Sequence, residues 1–271
     1  MERWSSVARR VTKAAVLPLG IPRRRRAGDV LILLYHRVGA GTGEIALSAT
    51  AFERQLAYLA AQQRILSLDQ ALSDQDGGGV VLTFDDGYRD FYDQVLPALV
   101  EHQIPALLYL ATGLVAGLGS VDPKDALTWS QLEDAVGTGL VTVGSHTHSH
   151  ANLSRTGQAE AREEMRRSKD LIEDRLGWTC RHFAFPWGVG SPVAQREARR
   201  HFESVAFDAW RTNRRRSIDP YRLGRTPILR SDGWVFFRAK VAGMLDQEAL
   251  LYRALGRGPW RREKVTDSTV G

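Results

Sequence analysis

Val80-Val81-Leu82-Thr83-Phe84-Asp85-Asp86-Gly87 is an apolar, β-branched run that stops at two adjacent carboxylates and a glycine. A buried parallel strand that delivers acids to a loop-lined mouth has this pattern. Two neighbouring acids in a small site raise one pKa unless a cation compensates. The pair therefore reads as one acid held by a metal ion and one left free as a base.

Other apolar runs end the same way. Val30 to Tyr35 leads into His36, Leu140 to Gly144 feeds Ser145-His146-Thr147-His148-Ser149-His150, and His182-Phe183-Ala184-Phe185 stops at Pro186-Trp187-Gly188. Pro105 to Leu110 is a further apolar run, Ser204 to Phe207 reads as a brief strand, and the segment up to Asp125 reads as a loop. Between these lie blocks with helical spacing. Thr50 and Glu53 form a capping box ahead of Phe52, Leu56 and Leu59. A helix from about Asp90 contains Pro97, which should bend it or end it early. Trp129 to Val136, Gln158 to Leu176 with Gly177 as its stop, Arg196 to Phe202 and Trp234 to Leu255 complete the set. Strands alternating with crossover helices specify an α/β fold. In a barrel of parallel strands all the C-terminal ends would open on one face.

The chain has 271 residues and one cysteine, so no intrachain disulfide can form. The apolar stretch Ala14 to Ile21 is too short to span a membrane and contains Pro18. The formal charge is +6, and residues 1–29 carry eight Arg or Lys against Glu2 and Asp29, which matches the whole excess. The expected organisation is a poorly ordered basic leader over 1–29, a catalytic domain over 30–258 and a frayed tail over 259–271. The leader is expected to be solvated, with peripheral contact to an anionic membrane as the sharper alternative. A body neutral overall argues against direct nucleic-acid binding. Without a convincing export signal, the expected location is the cytoplasm or its membrane face.

His146 and His150 are four apart, and in a turn of helix that spacing would put both imidazoles on one side. With Asp86 they make a two-His, one-carboxylate set for a divalent ion, Zn²⁺ being favoured and Co²⁺ or Ni²⁺ suiting the same ligands. His148, between them, either supports the set or points outward.

Thr83-Phe84-Asp85-Asp86-Gly87, His146-Thr147-His148-Ser149-His150 and Phe185-Pro186-Trp187-Gly188, in that order, resemble the polysaccharide deacetylases of carbohydrate esterase family 4 over about Leu31 to Arg225. The resemblance implies a distorted (β/α) barrel of the NodB-homology type, with about seven parallel strands and outer helices. It implies Asp85 as general base, Asp86, His146 and His150 as metal ligands, and an N-acetylated sugar as substrate. Acetate and a free amino sugar would be the products.

Two departures stand out. Ala184 occupies the position of the arginine that usually orients the base, and no late leucine-histidine pair supplies the acid. Tyr35-His36-Arg37-Val38 is similar to the Tyr-His element of the circularly permuted poly-N-acetylglucosamine deacetylase branch, which implies His36 as the acid. A structural role for His36 at a strand end is the competing reading. Tyr88, Pro186 and Trp187 are candidates to line the sugar site, and Trp129 and Trp210 are further aromatics near loops. Arg222 and Arg225 would either bind an anionic substrate group or lie on a solvated surface. Two other functions fit the same residues: hydrolysis of another non-peptide C–N bond, as in allantoinase-like members, or metal-dependent sugar binding without turnover, motivated by Ala184.

Overall fold

The protein is described by a computed structural model at residues 10, 11, 13, 14, 25–39, 41, 43–73, 77–118, 122–208 and 210–246. Among these, seven parallel strands close a barrel: β1 (Val30–Tyr35), β2 (Gly79–Asp86), β3 (Ala106–Leu110), β4 (Val141–Ser145), β5 (His182–Ala184), β6 (Ser204–Phe207) and β7 (Leu223–Pro227). The strands follow chain order round the ring, and β7 closes it beside β1, with Leu33 opposite Thr226. The helices are α1 (Ala49–Gln62), α2 (Leu68–Ser73), α3 (Leu96–His102), α4 (Trp129–Gly137), α5 (Gln158–Leu176), α6 (Pro192–His201) and α7 (Gly233–Val241). This is the (β/α) barrel expected from the alternation of strand and helix patterns.

Side-chain alternation along each strand explains both the core and the site. Leu31, Leu33, Tyr35, Val80, Leu82 and Phe84 point outward and pack with Phe52, Leu56 and Leu59 of α1. Val30, Ile32, Val81, Leu107, Tyr109, Ala184, Ala206 and Leu223 form a separate cluster inside the ring. Each fully buried Leu or Phe contributes roughly 1.5–3 kcal/mol, so the outer layer carries most of the apolar stabilisation. Continuing the inward set along β2 through Val81 and Thr83 brings the next inward residue, Asp85, to the C-terminal mouth.

Several local expectations are corrected. Ser48, not Thr50, caps α1 by accepting a hydrogen bond from the Ala51 N–H. Pro97 does not end the helix: a π-helical turn over Phe91–Val95 passes directly into α3 through helical backbone at Val95 and Leu96, so the helix changes its winding just ahead of the proline, as the missing N–H requires. The segment after β3 contains a helical turn, Thr112–Val115. Residues 223–227, not anticipated as a strand, complete the barrel. The closing helix ends at Val241. Its expected continuation beyond 246, the expected tail over 259–271 and most of the leader lie outside the described residues. No described helix is long and apolar enough to cross a membrane.

Several leader residues belong to the body: Arg10 and Arg25 donate to the Ser231 and Gly79 carbonyls, and Asp29 is buried beside Arg214. Lys13, expected to be solvated, is fully buried, with its ammonium 2.5 Å from Asp232 Oδ1, while Lys240 donates to Asp232 Oδ2 at 2.9 Å. Burial works against the Asp232 carboxylate, but the two ammonium groups outweigh it and hold its pKa below the ordinary value. Asp232→Asn is expected to cost about 3–5 kcal/mol at pH 7, because it leaves two buried cations uncompensated. A depressed folded pKa stabilises fully above the unfolded carboxylate value of about 3.9 and less as pH falls toward the folded value. Urea unfolding should therefore show the gap between variant and wild type narrowing below about pH 4.

Candidate active site

Asp85 and Asp86 are adjacent, yet both face the mouth. In a regular strand they would point to opposite sides of the sheet. Asp86 has φ 75° and Gly87 φ 97°, so the backbone turns left-handed as the strand ends and swings the second carboxylate round to the same side as the first. Asp tolerates that conformation better than most L residues. His146 Nε2 lies 3.5 Å from Asp85 Oδ2 and 3.7 Å from Asp86 Oδ1, which places all three groups at one point.

The histidines converge by a route that differs from the expected turn of helix. Residues 146–150 form an irregular loop after β4, with Thr147 at φ 67° and His150 at φ 59°. His146 is buried and its Nδ1 lies 2.8 Å from the Ala184 carbonyl. A carbonyl only accepts, so Nδ1 carries the proton and Nε2 presents a lone pair to the mouth. Burial lowers the His146 pKa to about 4, so the ring is neutral at pH 7. His150 Nε2 is 3.2 Å from Asp86 Oδ1. Burial acts against its protonated form, but Asp86 outweighs burial and holds its pKa above the ordinary value. His148 takes no part. It is buried with Nδ1 2.9 Å from Thr112 Oγ1 and lies outside the group formed by Asp86, His146 and His150.

Asp85 is held by Arg225. Nη1 donates to Oδ1 at 2.6 Å and Nη2 to Oδ2 at 2.8 Å, while Nη2 also reaches Asp208 Oδ1 at 2.9 Å. Arg225 alternates inward with Leu223 along β7, is fully buried, and lies 5.1 Å from the Tyr109 ring centre. Burying a guanidinium alone would be prohibitive, and two carboxylates compensate it. Burial alone would raise the pKa of Asp85. Arg225, then His146 and His36, outweigh it and keep the carboxylate ionised. Each Asp85 oxygen retains a further lone pair beyond its bond to Arg225. The arginine that holds Asp85 thus comes from β7, not from the position of Ala184.

His36 follows β1 on the inward side, as Val30 and Ile32 do. It is half-buried, its Nδ1 is without a hydrogen-bond partner, and it helps to lower the pKa values of Asp85, Asp86 and Asp208. It therefore stands at the mouth beside the carboxylates.

The candidates for the sugar site divide. Trp187 has φ 61°, is 49% exposed, and its ring centre lies 5.3 Å from that of His150, so it offers a face beside the histidines. Pro186 is buried beneath that turn. Gly188 is required there, because a Cβ would sit 2.3 Å from Cβ of Asp208. Tyr88 is half-buried under the Arg37 guanidinium at 4.6 Å, and burial together with Asp86 pushes its phenol pKa up. Arg222 is a correction. It is exposed in the turn Pro220–Arg222 that precedes β7, at the end of the barrel away from the two acids. Trp210 is buried, with the Lys240 ammonium 5.5 Å from its ring centre.

Residues 73–202 match the family model described as polysaccharide deacetylase. Among curated proteins, the chain is 25% identical over 165 residues to the putative polysaccharide deacetylase YxkH of Bacillus subtilis, covering 58% of this chain and 56% of that protein. It is 24% identical over 157 residues to the poly-β-1,6-N-acetyl-D-glucosamine N-deacetylase of Staphylococcus aureus, covering 53% and 54%. The matched region thus spans about half the length of these relatives. Among solved structures, IcaB from Ammonifex degensii superposes with a TM-score of 0.68 at 25% identity over 80% of this chain and 97% of that one. The Streptococcus pyogenes deacetylase PplD, in complex with acetate, gives 0.69 at 23% identity over 80% and 98%.

Proposed function

The chain carries a polysaccharide deacetylase domain over residues 73–202, and from that premise we propose that it removes an N-acetyl group from an amino sugar of a glycan, glycolipid or glycoconjugate. The observation that carries this reading is the convergence at one barrel mouth of a three-residue ligand set and a separate, arginine-held carboxylate.

The ligand set fits a divalent ion. Donor atoms of Asp86, His146 and His150 all lie within 4.8 Å of one another. Donors sharing one tetrahedral ion at bond lengths of about 2.0–2.2 Å stand about 3.4 Å apart, and the carboxylate-to-imidazole distances are 3.2 and 3.7 Å. Asp86 Oδ1 is buried and makes no hydrogen bond of regular geometry, its near neighbour being His150 Nε2 at 3.2 Å, an arrangement that a cation held between them would satisfy. Two imidazoles, that of His150 giving up any proton to the ion, and a carboxylate favour Zn²⁺, with Co²⁺ or Ni²⁺ compatible. When bound, such an ion supplies Lewis acidity toward a carbonyl oxygen and toward water.

The chain's own groups divide the proton work. Asp85, unprotonated and fixed by Arg225, accepts a proton from the water that adds to the acetyl carbon. His36 delivers a proton to the sugar nitrogen as the carbon–nitrogen bond breaks, so that acetate and an amine leave. Trp187 provides a face on which a sugar ring stacks. The name of the S. aureus relative supports β-linked N-acetylglucosamine as the first substrate to test.

Zn²⁺- or Co²⁺-loaded protein incubated with N-acetylglucosamine oligomers is expected to lower their mass by about 42 Da per acetyl group lost, as the metal-assisted hydrolysis requires. Unchanged masses across N-acetylated oligosaccharides and lipid-linked sugars would count against the proposal.

A further inference from the structure

Within the ligand loop the Thr147 N–H donates to Ser145 Oγ at 3.3 Å and the Ala151 N–H to Thr147 Oγ1 at 3.2 Å, and the shape that brings His150 to Asp86 draws its other supports from outside the loop. Residues 147 and 150 both stand in the left-handed region, which non-glycine residues rarely adopt unless their surroundings enforce it. The loop is braced on one side by the turn after β3. There the Thr112 N–H donates to the Thr147 carbonyl and the Gly113 N–H to the His148 carbonyl at 2.7 Å. A Cβ at Gly113 would come within 2.6 Å of that His148 oxygen.

The other side is held by α5. This helix runs back along the barrel from the mouth, and its buried stripe includes Ala161, Met165, Ser168 and Ile172. Two polar residues four apart face the loop from it. Ser168 meets Ser145 Oγ at 2.9 Å at the strand end. One turn closer to the mouth, Glu164 Oε2 accepts the backbone N–H groups of His148 at 3.0 Å and Ser149 at 2.8 Å, and Oε1 accepts the Ser149 hydroxyl at 2.8 Å. Glu164 thus binds the two residues immediately before His150.

We propose that Glu164 is a positioning residue for the ion site: its carboxylate clamps the 148–149 backbone and thereby sets where the His150 imidazole stands. It touches neither the ligand atoms nor the mouth and acts through the loop alone. The inference rests on the reading of Asp86, His146 and His150 as an ion site.

Co²⁺ titration, followed by visible absorption and by competition with a chelator, tests it. Outer groups that orient ligands typically change metal affinity by about 10–100-fold, and that weakening is expected for Glu164→Ala together with an altered Co²⁺ spectrum. Glu164→Gln keeps an acceptor oxygen for the two N–H groups and should recover affinity to within about threefold of wild type by the same reasoning. Glu163→Ala, next door but exposed and paired with Arg166, should match wild type. If Glu164→Ala fails to fold, Glu164→Asp, one methylene shorter, should still bind Co²⁺ several-fold more weakly than wild type. Wild-type affinity and spectrum in Glu164→Ala or, in its absence, in Glu164→Asp would overturn the inference. A wild-type protein whose Co²⁺ binding is indifferent to Asp86→Asn would instead overturn the ion site itself.

Discussion

Asp85→Asn is expected to lower kcat by about 10²–10⁴-fold, the usual contribution of a positioned general base, while leaving Co²⁺ binding within a few-fold of wild type. The substitution keeps the side chain's size and removes its basicity. It also turns one of the two oxygens facing Arg225 into an NH₂ group, so one of the bonds at 2.6 and 2.8 Å is lost. Asp208 remains as a counter-charge at 2.9 Å, so Arg225 keeps one carboxylate partner. Steady-state kinetics on an N-acetylglucosamine oligomer, paired with a metal titration of the same preparation, checks both halves. Full activity would remove Asp85 from the mechanism, and a parallel collapse of metal binding would make it a ligand.

Asp86→Asn should do the reverse. Asn tolerates the left-handed backbone at φ 75° as Asp does, which makes it a cleaner probe than Ala. What it removes is the charge of the one carboxylate in the ligand set. Ion affinity should fall by more than the 10–100-fold typical of outer groups. With the Lewis acid gone, acetate release should fall by about 10³-fold or more, since the ion supplies several kcal/mol to the transition state. Asp85 would still be held by Arg225, so the fold should survive. Activity within tenfold of wild type at saturating substrate would sink the assignment of Asp86.

These two outcomes separate roles that the sequence could distinguish only through resemblance. The barrel and its mouth were legible because four apolar runs stopped at a residue with chemistry, and parallel strands carry such residues to one face. Period two along Val81-Thr83-Asp85 accounts for the inward position of the first acid once the strand is seen in the barrel. Arg225 was not legible. Its strand, Leu223-Gly224-Arg225-Thr226-Pro227, contains a glycine and a proline and follows the exposed Arg222, so nothing local marks it as a barrel wall. The periodicity that points it inward from Leu223 becomes visible only once the strand is known. A run of basic residues ordinarily reads as surface, and only the carboxylates of Asp85 and Asp208 make Arg225 an exception.

The shape of the ligand loop was also beyond the sequence. A four-residue spacing suits a turn of helix, and the left-handed values at Thr147 and His150 are held by partners outside the loop, at Thr112, Gly113 and Glu164, together with local bonds from Thr147 to Ser145 and Ala151. The burial of Lys13 has the same origin, since its counter-charge Asp232 lies more than two hundred residues away. In each case the deciding contact is tertiary, and local propensity has no term for it.

The most direct test of the central claim is an anomalous difference map from crystals loaded with Co²⁺ or Zn²⁺. The account predicts one strong peak bonded to an Asp86 carboxylate oxygen and to Nε2 of both His146 and His150, with Asp85 unbonded and still paired to Arg225. A peak bonded to Asp85, a peak remote from these side chains, or no peak at the mouth would contradict it.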